Sequence, residues 1–165
     1  MGNAAVEAVI AVATGRFGSK GVAVLPQDIA PWLTDWRGRY HGATAAVLSP
    51  ATVEEVAFLV TLAAQHRVPL VPQGGNTGMV GGATPPADGS ALVLSLRRMN
   101  AIRAIDAAAG YAVVEAGVVL QTLHEAVADS GMRFPLTLGA RGSATVGGLV
   151  STNAGGTQVL RFGTM

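Results

Sequence analysis

The feature that most constrains this chain is the glycine-rich stretch Val71–Gly82, with the sequence V-P-Q-G-G-N-T-G-M-V-G-G. Five glycines fall within the nine residues from Gly74 to Gly82. Glycine adopts positive φ without a Cβ clash, so such a loop can turn several backbone N–H groups towards one point. This arrangement suits an anion, most often a phosphate. Because the stretch contains no Lys or Arg, we expect backbone amides to hold the anion, with Asn76 and Thr77 adding side-chain donors.

The residues before this stretch predict a strand, a helix and a second strand. Residues 45–48 and 68–71 are apolar strand candidates, and Thr52 and Glu55 between them have the spacing of a capping box. Apolar residues at helical spacing predict that one helix face is buried, namely Val53, Val56, Ala57, Val60 and Ala64. The glycine-rich stretch would then leave the C-terminal end of a parallel strand, where open sheets bind ligands. This position favours an anion site over the alternative, a loop that only reverses the chain.

The first 44 residues predict a helix and an irregular lead-in. Asn3 is placed to cap the helix, apolar residues follow at helical spacing, and Gly15 is expected to end it. The residues from there to position 44 have no clean period. Arg37 and Arg39 flank a glycine, and we interpret them as part of a solvated turn.

The second half of the chain predicts a hairpin and a helix. Two short strand candidates, residues 102–105 and 112–115, flank Ala109-Gly110, which is typical of a hairpin turn. A helix follows Gly117 and is closed by Gly131.

A second glycine-rich stretch occupies residues 135–156, with the sequence P-L-T-L-G-A-R-G-S-A-T-V-G-G-L-V-S-T-N-A-G-G. Small residues dominate it, and its Ser, Thr and Asn residues supply short hydrogen-bonding groups. A structural loop of this length does not need so few bulky side chains. We therefore interpret the stretch as a platform for a flat, wide ligand that lies against the backbone.

Composition excludes several classes of function. The net charge of +1 and the lack of a basic run give no support for a nucleic-acid surface. The absence of cysteine removes disulfides, thiolate nucleophiles and Cys-based metal sites. The apolar N-terminal stretch is shorter than the ~20 residues that cross a bilayer and lacks the basic start of a signal peptide. We therefore expect no membrane span and a cytoplasmic location.

Several catalytic and nucleotide-binding motifs are also missing. The chain contains no G-x-G-x-x-G dinucleotide fingerprint and no ATP or GTP P-loop. Neither Ser143 nor Ser151 lies in a G-x-S-x-G nucleophile elbow. His41, His66 and His124 are far apart in sequence, so no metal site is predicted. The residues alone indicate an anion site and a small-residue platform, without a catalytic base.

Three motifs in order carry a resemblance to a known family. They are P-Q-G-G-N-T-G-M-V-G-G, then F-P-L-T-L-G-A-R-G-S-A-T-V-G-G-L-V-S-T-N-A-G-G, then R-F-G-T-M. With W-R-G-R-Y-H-G before the first strand, the match covers roughly residues 39–165. The chain resembles the FAD-binding domain of the vanillyl-alcohol-oxidase (PCMH-type) flavoproteins. Within them it is most similar to the branch of D-2-hydroxyglutarate dehydrogenase, D-lactate dehydrogenase and the glycolate oxidase FAD subunit.

The resemblance implies an α+β fold in which FAD lies between two α+β subdomains. The FAD-binding domain would occupy residues 45–165, after the lead-in of residues 1–44. Its first subdomain, about residues 45–97, would contain the βαβ unit, and its second, about residues 98–165, would be mostly antiparallel. The domain is expected to be incomplete at its C-terminus, because family members continue for several hundred residues.

The resemblance also implies which residues contact FAD. Residues 72–79 would hold the pyrophosphate through backbone amides, and residues 138–148 would border the ribityl chain and isoalloxazine, with Asn153 nearby. The full set is Pro72, Gln73, Gly74, Gly75, Asn76, Thr77, Gly78, Met79, Leu138, Gly139, Gly142, Ser143, Thr145, Gly147, Gly148 and Asn153. Some family members attach FAD through a histidine in the first loop. Since Asn76 has that place and cysteine is absent, noncovalent FAD is implied.

The implied activity is the oxidation of a D-2-hydroxy acid, with electrons passed from FAD to a separate acceptor. The catalytic residues are expected beyond Met165, and a homodimer stays open. Two alternatives remain at this point. One is a nonenzymatic or decayed nucleotide-binding fragment. The other is a family relative that acts on a sugar acid or an ether-lipid precursor.

Overall fold

The computed structural model describes residues 2–165, with side chains from residue 4 onwards. The chain divides into two compact units, of which the first ends at Arg98 and the second runs from Met99 to Met165. The elements of the first unit are α1 (Gly2–Gly21), β1 (Val22–Ala23), α2 (Pro26–Ile29), a 3-10 turn (Ala30–Trp32), β2 (Val47–Leu48), α3 (Val53–Gln65), β3 (Leu70–Gln73) and β4 (Leu92–Ser95).

The first unit is built on a four-stranded sheet in the order β1-β2-β4-β3. Strand β1 is antiparallel to β2, whereas β2, β4 and β3 are parallel. Leu48 and Leu92 belong to the apolar cluster that contains residues of α1 and α3. Val47 and Val93 belong to a second cluster with Trp32. Alternate strand residues thus enter separate clusters, which is why these short strands are continuous apolar runs.

The predicted strand–helix–strand unit is present, with three corrections. The first strand begins at Val47 rather than at residue 45. The second strand begins at Leu70 rather than at Val68, and it ends at Gln73. Strand β4, which comes later in the chain, lies between β2 and β3. The glycine-rich stretch still follows the C-terminal end of a parallel strand, as the sequence predicted.

The capping box at the start of α3 is confirmed. The Glu55 amide donates to Thr52 Oγ1 at 3.2 Å, and Glu55 Oε2 accepts from the Ala51 amide at 2.7 Å. The Glu55 carboxylate therefore binds the amide of Ala51, the residue before the N-cap residue Thr52, rather than that of Thr52. Both bonds satisfy amides that have no partner inside the helix.

Replacing Thr52 by alanine is expected to lower the free energy of unfolding by about 1 kcal/mol, because the Glu55 amide loses its acceptor. Chemical denaturation would measure the loss. Thr61→Ala in the exposed middle of α3 is the control. A Thr52 variant as stable as this control would contradict the capping role.

The predicted buried face of α3 is wrong. Val53 and Val60 are 58% and 46% exposed, whereas Leu59, Leu62 and Ala63 are the buried residues of the helix. Both faces of the helix carry apolar residues at helical spacing. The face with the larger leucine side chains is the buried one, because the free energy gained on burial grows with the apolar area removed from water.

Helix α1 also differs from its prediction, since it passes Gly15 and ends at Gly21. At Gly18, with φ 61° and ψ −165°, the helical conformation is interrupted, so α1 consists of two helical segments joined at a kink. A glycine inside a helix costs about 1 kcal/mol relative to alanine, and Phe17 beyond it packs edge-on against Phe58 at 5.7 Å. The Asn3 side chain, the predicted cap, lies outside the described residues. No helix in residues 2–165 is long and apolar enough to cross a membrane.

The second unit combines one antiparallel hairpin with three helices. Its elements are β5 (Ile102–Asp106), β6 (Tyr111–Val114), α4 (Leu120–Ala128), α5 (Val146–Ser151) and α6 (Val159–Phe162). The predicted hairpin is confirmed, and Gly110 in its turn has φ 74°. The α+β class is confirmed as well, with a mixed sheet in the first unit and an antiparallel one in the second. Helix α5 lies within the second glycine-rich stretch, residues 135–156, for which no helix was predicted.

Candidate functional site

The glycine loop, defined here as residues 74–83, begins directly after β3 and is closed by the last residue of that strand. Gln73 is only 4% exposed. Its Nε2 donates to the carbonyl of Ala83 at 2.7 Å and to that of Trp32 at 3.0 Å. One side chain therefore joins the two ends of the loop and ties them to residues 32–43. We call these residues the lead-in segment; they form the last part of the lead-in of residues 1–44 described above.

The lead-in segment is shaped by Asp35, which is 4% exposed. Its carboxylate accepts from the amides of Arg39 and Tyr40, both at 2.7 Å, and from that of Arg37 at 3.3 Å. The pKa of Asp35 is held below its ordinary value, chiefly by the Tyr40 amide. Gly38 completes the turn with φ 66°. A solvated turn was predicted here, but its organising carboxylate is buried.

The glycine loop packs on this segment at several points. The side-chain amide of Asn76 donates to the carbonyl of Thr34 at 2.7 Å. A Cβ on Gly81 would come within 2.9 Å of the Tyr40 ring, and Gly81 has φ 74°. The Ala43 amide donates to the carbonyl of Pro86, just beyond the loop, at 3.1 Å. The shape of the loop therefore depends on residues some forty positions earlier in the chain.

The backbone amides of the loop are the main chemical feature of the site. Within residues 2–165, no amide from Gly75 to Ala83 donates a hydrogen bond to another protein group. Backbone N–H groups that lack a protein partner need water or a ligand as acceptor. A run of such amides after a parallel strand is an arrangement that can bind an anion.

The charges near the loop also favour an anion. No Asp or Glu occurs in residues 71–87. Arg37 lies close to the loop, with its guanidinium 3.8 Å from the sulfur of Met79. The sequence alone does not place this cation near the loop, because Arg37 is about forty residues away along the chain. The D-x-x-G spacing of Asp35 and Gly38 was the available signal for an ordered turn.

The predicted site residues of the second unit lie in turns around helix α5. The amides of Ser143 and Ala144 both donate to the carbonyl of Ala140, at 2.9 and 2.8 Å. Thr145 is buried and precedes the first residue of α5. A Cβ on Gly147 would come within 2.7 Å of Ala116 Cβ, so this glycine permits a close approach.

Asn153 ends this group with positive φ, 48°, just after α5. The Ala154 amide donates back to the carbonyl of Leu149 at 2.9 Å, which is typical of a left-handed helix end. These contacts give the second group structural roles. Its contact with a ligand stays a prediction.

The structure thus places the predicted residues in two groups, residues 72–79 at the end of β3 and in the glycine loop, and residues 138–153 in and around α5. His41 lies 3.2 Å from Thr34 Oγ1, and His124 lies 2.9 Å from the carbonyl of Leu136. Among the described residues, no three potential metal ligands cluster.

A family model described as "FAD binding domain" matches residues 44–165. The chain belongs to this family. The match begins beside β2 and covers both predicted groups of site residues. It fits the glycine loop, since the pyrophosphate of FAD is an anion of the kind that such amides bind.

The curated relatives of this family member are dehydrogenases of the predicted branch. D-2-hydroxyglutarate dehydrogenase of Bos taurus is 41% identical over 85% of the chain and 25% of its own length. A Schizosaccharomyces pombe protein provisionally named D-lactate dehydrogenase is 40% identical over 85% of the chain and 26% of its own length. Both names include the word mitochondrial. The chain spans about a quarter of the length of these relatives.

Solved flavoprotein structures share the fold. An alkyldihydroxyacetonephosphate synthase matches with a TM-score of 0.85 at 21% identity, over 96% of this chain and 31% of that one. A p-cresol methylhydroxylase matches with a TM-score of 0.74 at 23% identity, over 93% and 30% of the two chains. At these identities the likeness concerns the fold alone, and it confirms the PCMH-type class that the motifs indicated.

Proposed function

We propose that this chain is the FAD-binding part of a flavin-dependent dehydrogenase of D-2-hydroxy acids, and that its glycine loop holds the pyrophosphate of FAD. The observation that carries the proposal is the run of amides from Gly75 to Ala83, which have no acceptor within the described residues 2–165 and lie on a loop that follows a parallel strand. The family match supplies the identity of the anion.

The residues of the loop fit such a group. The absence of side chains at the glycines lets an anion approach the backbone closely. The loop contains no carboxylate that would repel the negative charge of a bound anion. The guanidinium of Arg37 lies 3.8 Å from the sulfur of Met79 and so brings a positive charge near the loop. We propose noncovalent attachment, because the glycine loop contains neither histidine nor cysteine and the side-chain amide of Asn76 is not a nucleophile.

The relatives support the reaction class. They are named as dehydrogenases of D-2-hydroxyglutarate and D-lactate, which favours an enzyme over a nonenzymatic binding module. When bound, FAD would supply at flavin N5 the hydride acceptor for oxidation of a 2-hydroxy acid to a 2-oxo acid, a reaction that also needs a base for the hydroxyl proton. The part of this chain would be to bind and orient FAD: residues 72–79 would hold the pyrophosphate, and residues 138–148 would border the ribityl chain and isoalloxazine, with Asn153 nearby.

The test is direct. Purified protein that contains this chain is expected to be yellow, and denaturation should release intact FAD into the supernatant. D-2-hydroxyglutarate, D-lactate or glycolate should reduce a dye acceptor in its presence. A colourless, flavin-free protein would overturn the FAD assignment. A flavoprotein that none of the three acids reduces would overturn only the substrate class.

Two further parts of the proposal concern the whole protein. We keep a cytoplasmic location and a homodimer as predictions. Cell fractionation and light scattering of the purified protein would test them. A mitochondrial fraction would overturn the first, and a monomer would overturn the second.

A further inference from the structure

We propose that Asn76 is a positioning residue that fixes the shape of the glycine loop, and that its side chain does not itself bind the anion. The proposal rests on the proposed FAD site. It differs from the sequence expectation, in which Asn76 added a side-chain donor to the anion.

The geometry of Asn76 carries the first step. Its Nδ2 donates to the carbonyl of Thr34 at 2.7 Å, so the side chain points back to the lead-in segment. Its backbone has φ 51°, a conformation that asparagine tolerates better than most residues other than glycine. The residue therefore combines an unusual backbone angle with a side chain that is bonded within the protein.

A second side-chain amide repeats this contact. Gln73, three positions earlier, donates to the carbonyl of Trp32 at 3.0 Å. The two amides thus bind carbonyls two residues apart on the lead-in segment. We call this pair of bonds the two-amide clamp. It holds the glycine loop where the run of free amides begins.

The acceptor of the clamp is itself anchored. Thr34 directly precedes Asp35, whose carboxylate binds three backbone amides. Thr34 also pairs with His41 in an antiparallel bridge. The carbonyl that Asn76 binds therefore belongs to an ordered turn.

The clamp reduces the conformational entropy that the glycine loop loses when FAD binds. A loop whose amides have no protein partners would sample many conformations if nothing else fixed it, and a ligand would have to order it. With the clamp in place, the loop is ordered before the ligand arrives. Removing the Asn76 bond should therefore weaken FAD binding about tenfold and speed amide exchange in the loop without FAD.

Asn76→Gly and Asn153→Gly form a matched pair for the test. Both asparagines have positive φ, so glycine keeps either backbone conformation and removes only the side chain. Without FAD, hydrogen–deuterium exchange of residues 74–83 should become faster in the Asn76 variant and stay unchanged in the Asn153 variant. Asn76→Asp should behave like Asn76→Gly, because a carboxylate cannot donate to the Thr34 carbonyl.

FAD affinity, measured by fluorescence titration of the wild type, the two Asn76 variants and a core variant, completes the test; Asn153→Gly serves only as the control for amide exchange. Val9→Ala, a core variant remote from the loop in sequence, should lower the melting temperature without changing loop exchange or FAD affinity. If Asn76→Gly binds FAD like the wild type, or loses affinity without faster exchange, the positioning role is overturned. If the wild type binds no FAD, the proposed function fails, and exchange in the free protein still decides for or against the clamp.

Discussion

Gly42→Ala is expected to lower the free energy of unfolding by about 1–3 kcal/mol and to weaken FAD binding. A Cβ at this position would overlap the carbonyl oxygen of Pro85 and come within 2.9 Å of its carbonyl carbon. The backbone is bonded on both sides of the contact, since the Gly42 amide donates to Leu33 at 2.7 Å and the Ala43 amide to Pro86 at 3.1 Å. Relief of the overlap must therefore break one of these bonds and move the far end of the glycine loop.

Thermal unfolding and FAD titration would measure both effects. Gly82→Ala is the matched control for stability alone, because its Cβ meets nothing within 4 Å and its φ is not positive. We expect its stability to change by no more than about 0.5 kcal/mol. Equal stabilities of the two variants would show that the contact at Gly42 relaxes without cost.

The features that the sequence predicted well are those decided by neighbouring residues. The capping box at Thr52 needs only a residue three positions away. The hairpin around Gly110 needs only a turn residue with positive φ between two strands. The position of the glycine loop follows from the apolar run of residues 68–71, the second half of which lies in β3. These features can be predicted because they depend on residues close together in the sequence, and contacts with distant residues do not oppose them.

The features that were predicted wrongly depend on packing between distant residues. Helix α3 has apolar residues on two faces, and only contact with the sheet decides that Leu59 is buried and Val60 is exposed. Helix α1 continues past Gly15, where local propensity predicts an end. In each case tertiary contacts outweigh preferences of at most about 1 kcal/mol per residue.

The candidate site shows the same division. The free amides of the glycine loop could be predicted, because they follow from the glycine content and the preceding strand. The lead-in segment could not be placed, since its contacts with Gln73 and Asn76 span roughly forty positions and run through backbone carbonyls. Because the acceptors are backbone carbonyls, the residue types of Trp32 and Thr34 do not indicate that these hydrogen bonds exist. Only Asp35, an acid followed by glycine three residues later, gave a readable signal.

Acid is expected to loosen the lead-in segment through Asp35. The pKa of this carboxyl is lowered mainly by the Tyr40 amide, with the Arg39 and Arg37 amides acting in the same direction and burial opposing them. Because the folded pKa lies below the unfolded value of about 3.9, the carboxylate contributes its full stability above that pH. The contribution is lost as the pH falls through the folded pKa.

Asp35→Asn isolates this effect, because its neutral amide resembles the protonated acid and accepts fewer amide bonds. The wild type should melt at a higher temperature than the variant from neutral pH down to about pH 4, and the difference should shrink below that. Asp88→Asn is the control, because that carboxylate accepts from the amide of Ser90 in an exposed turn. It should leave FAD affinity at neutral pH unchanged, whereas Asp35→Asn should weaken it. If the difference in melting temperature between the wild type and Asp35→Asn stays constant down to pH 3, the negative charge of Asp35 does not stabilise the turn. The shape of the side chain would then account for the whole difference.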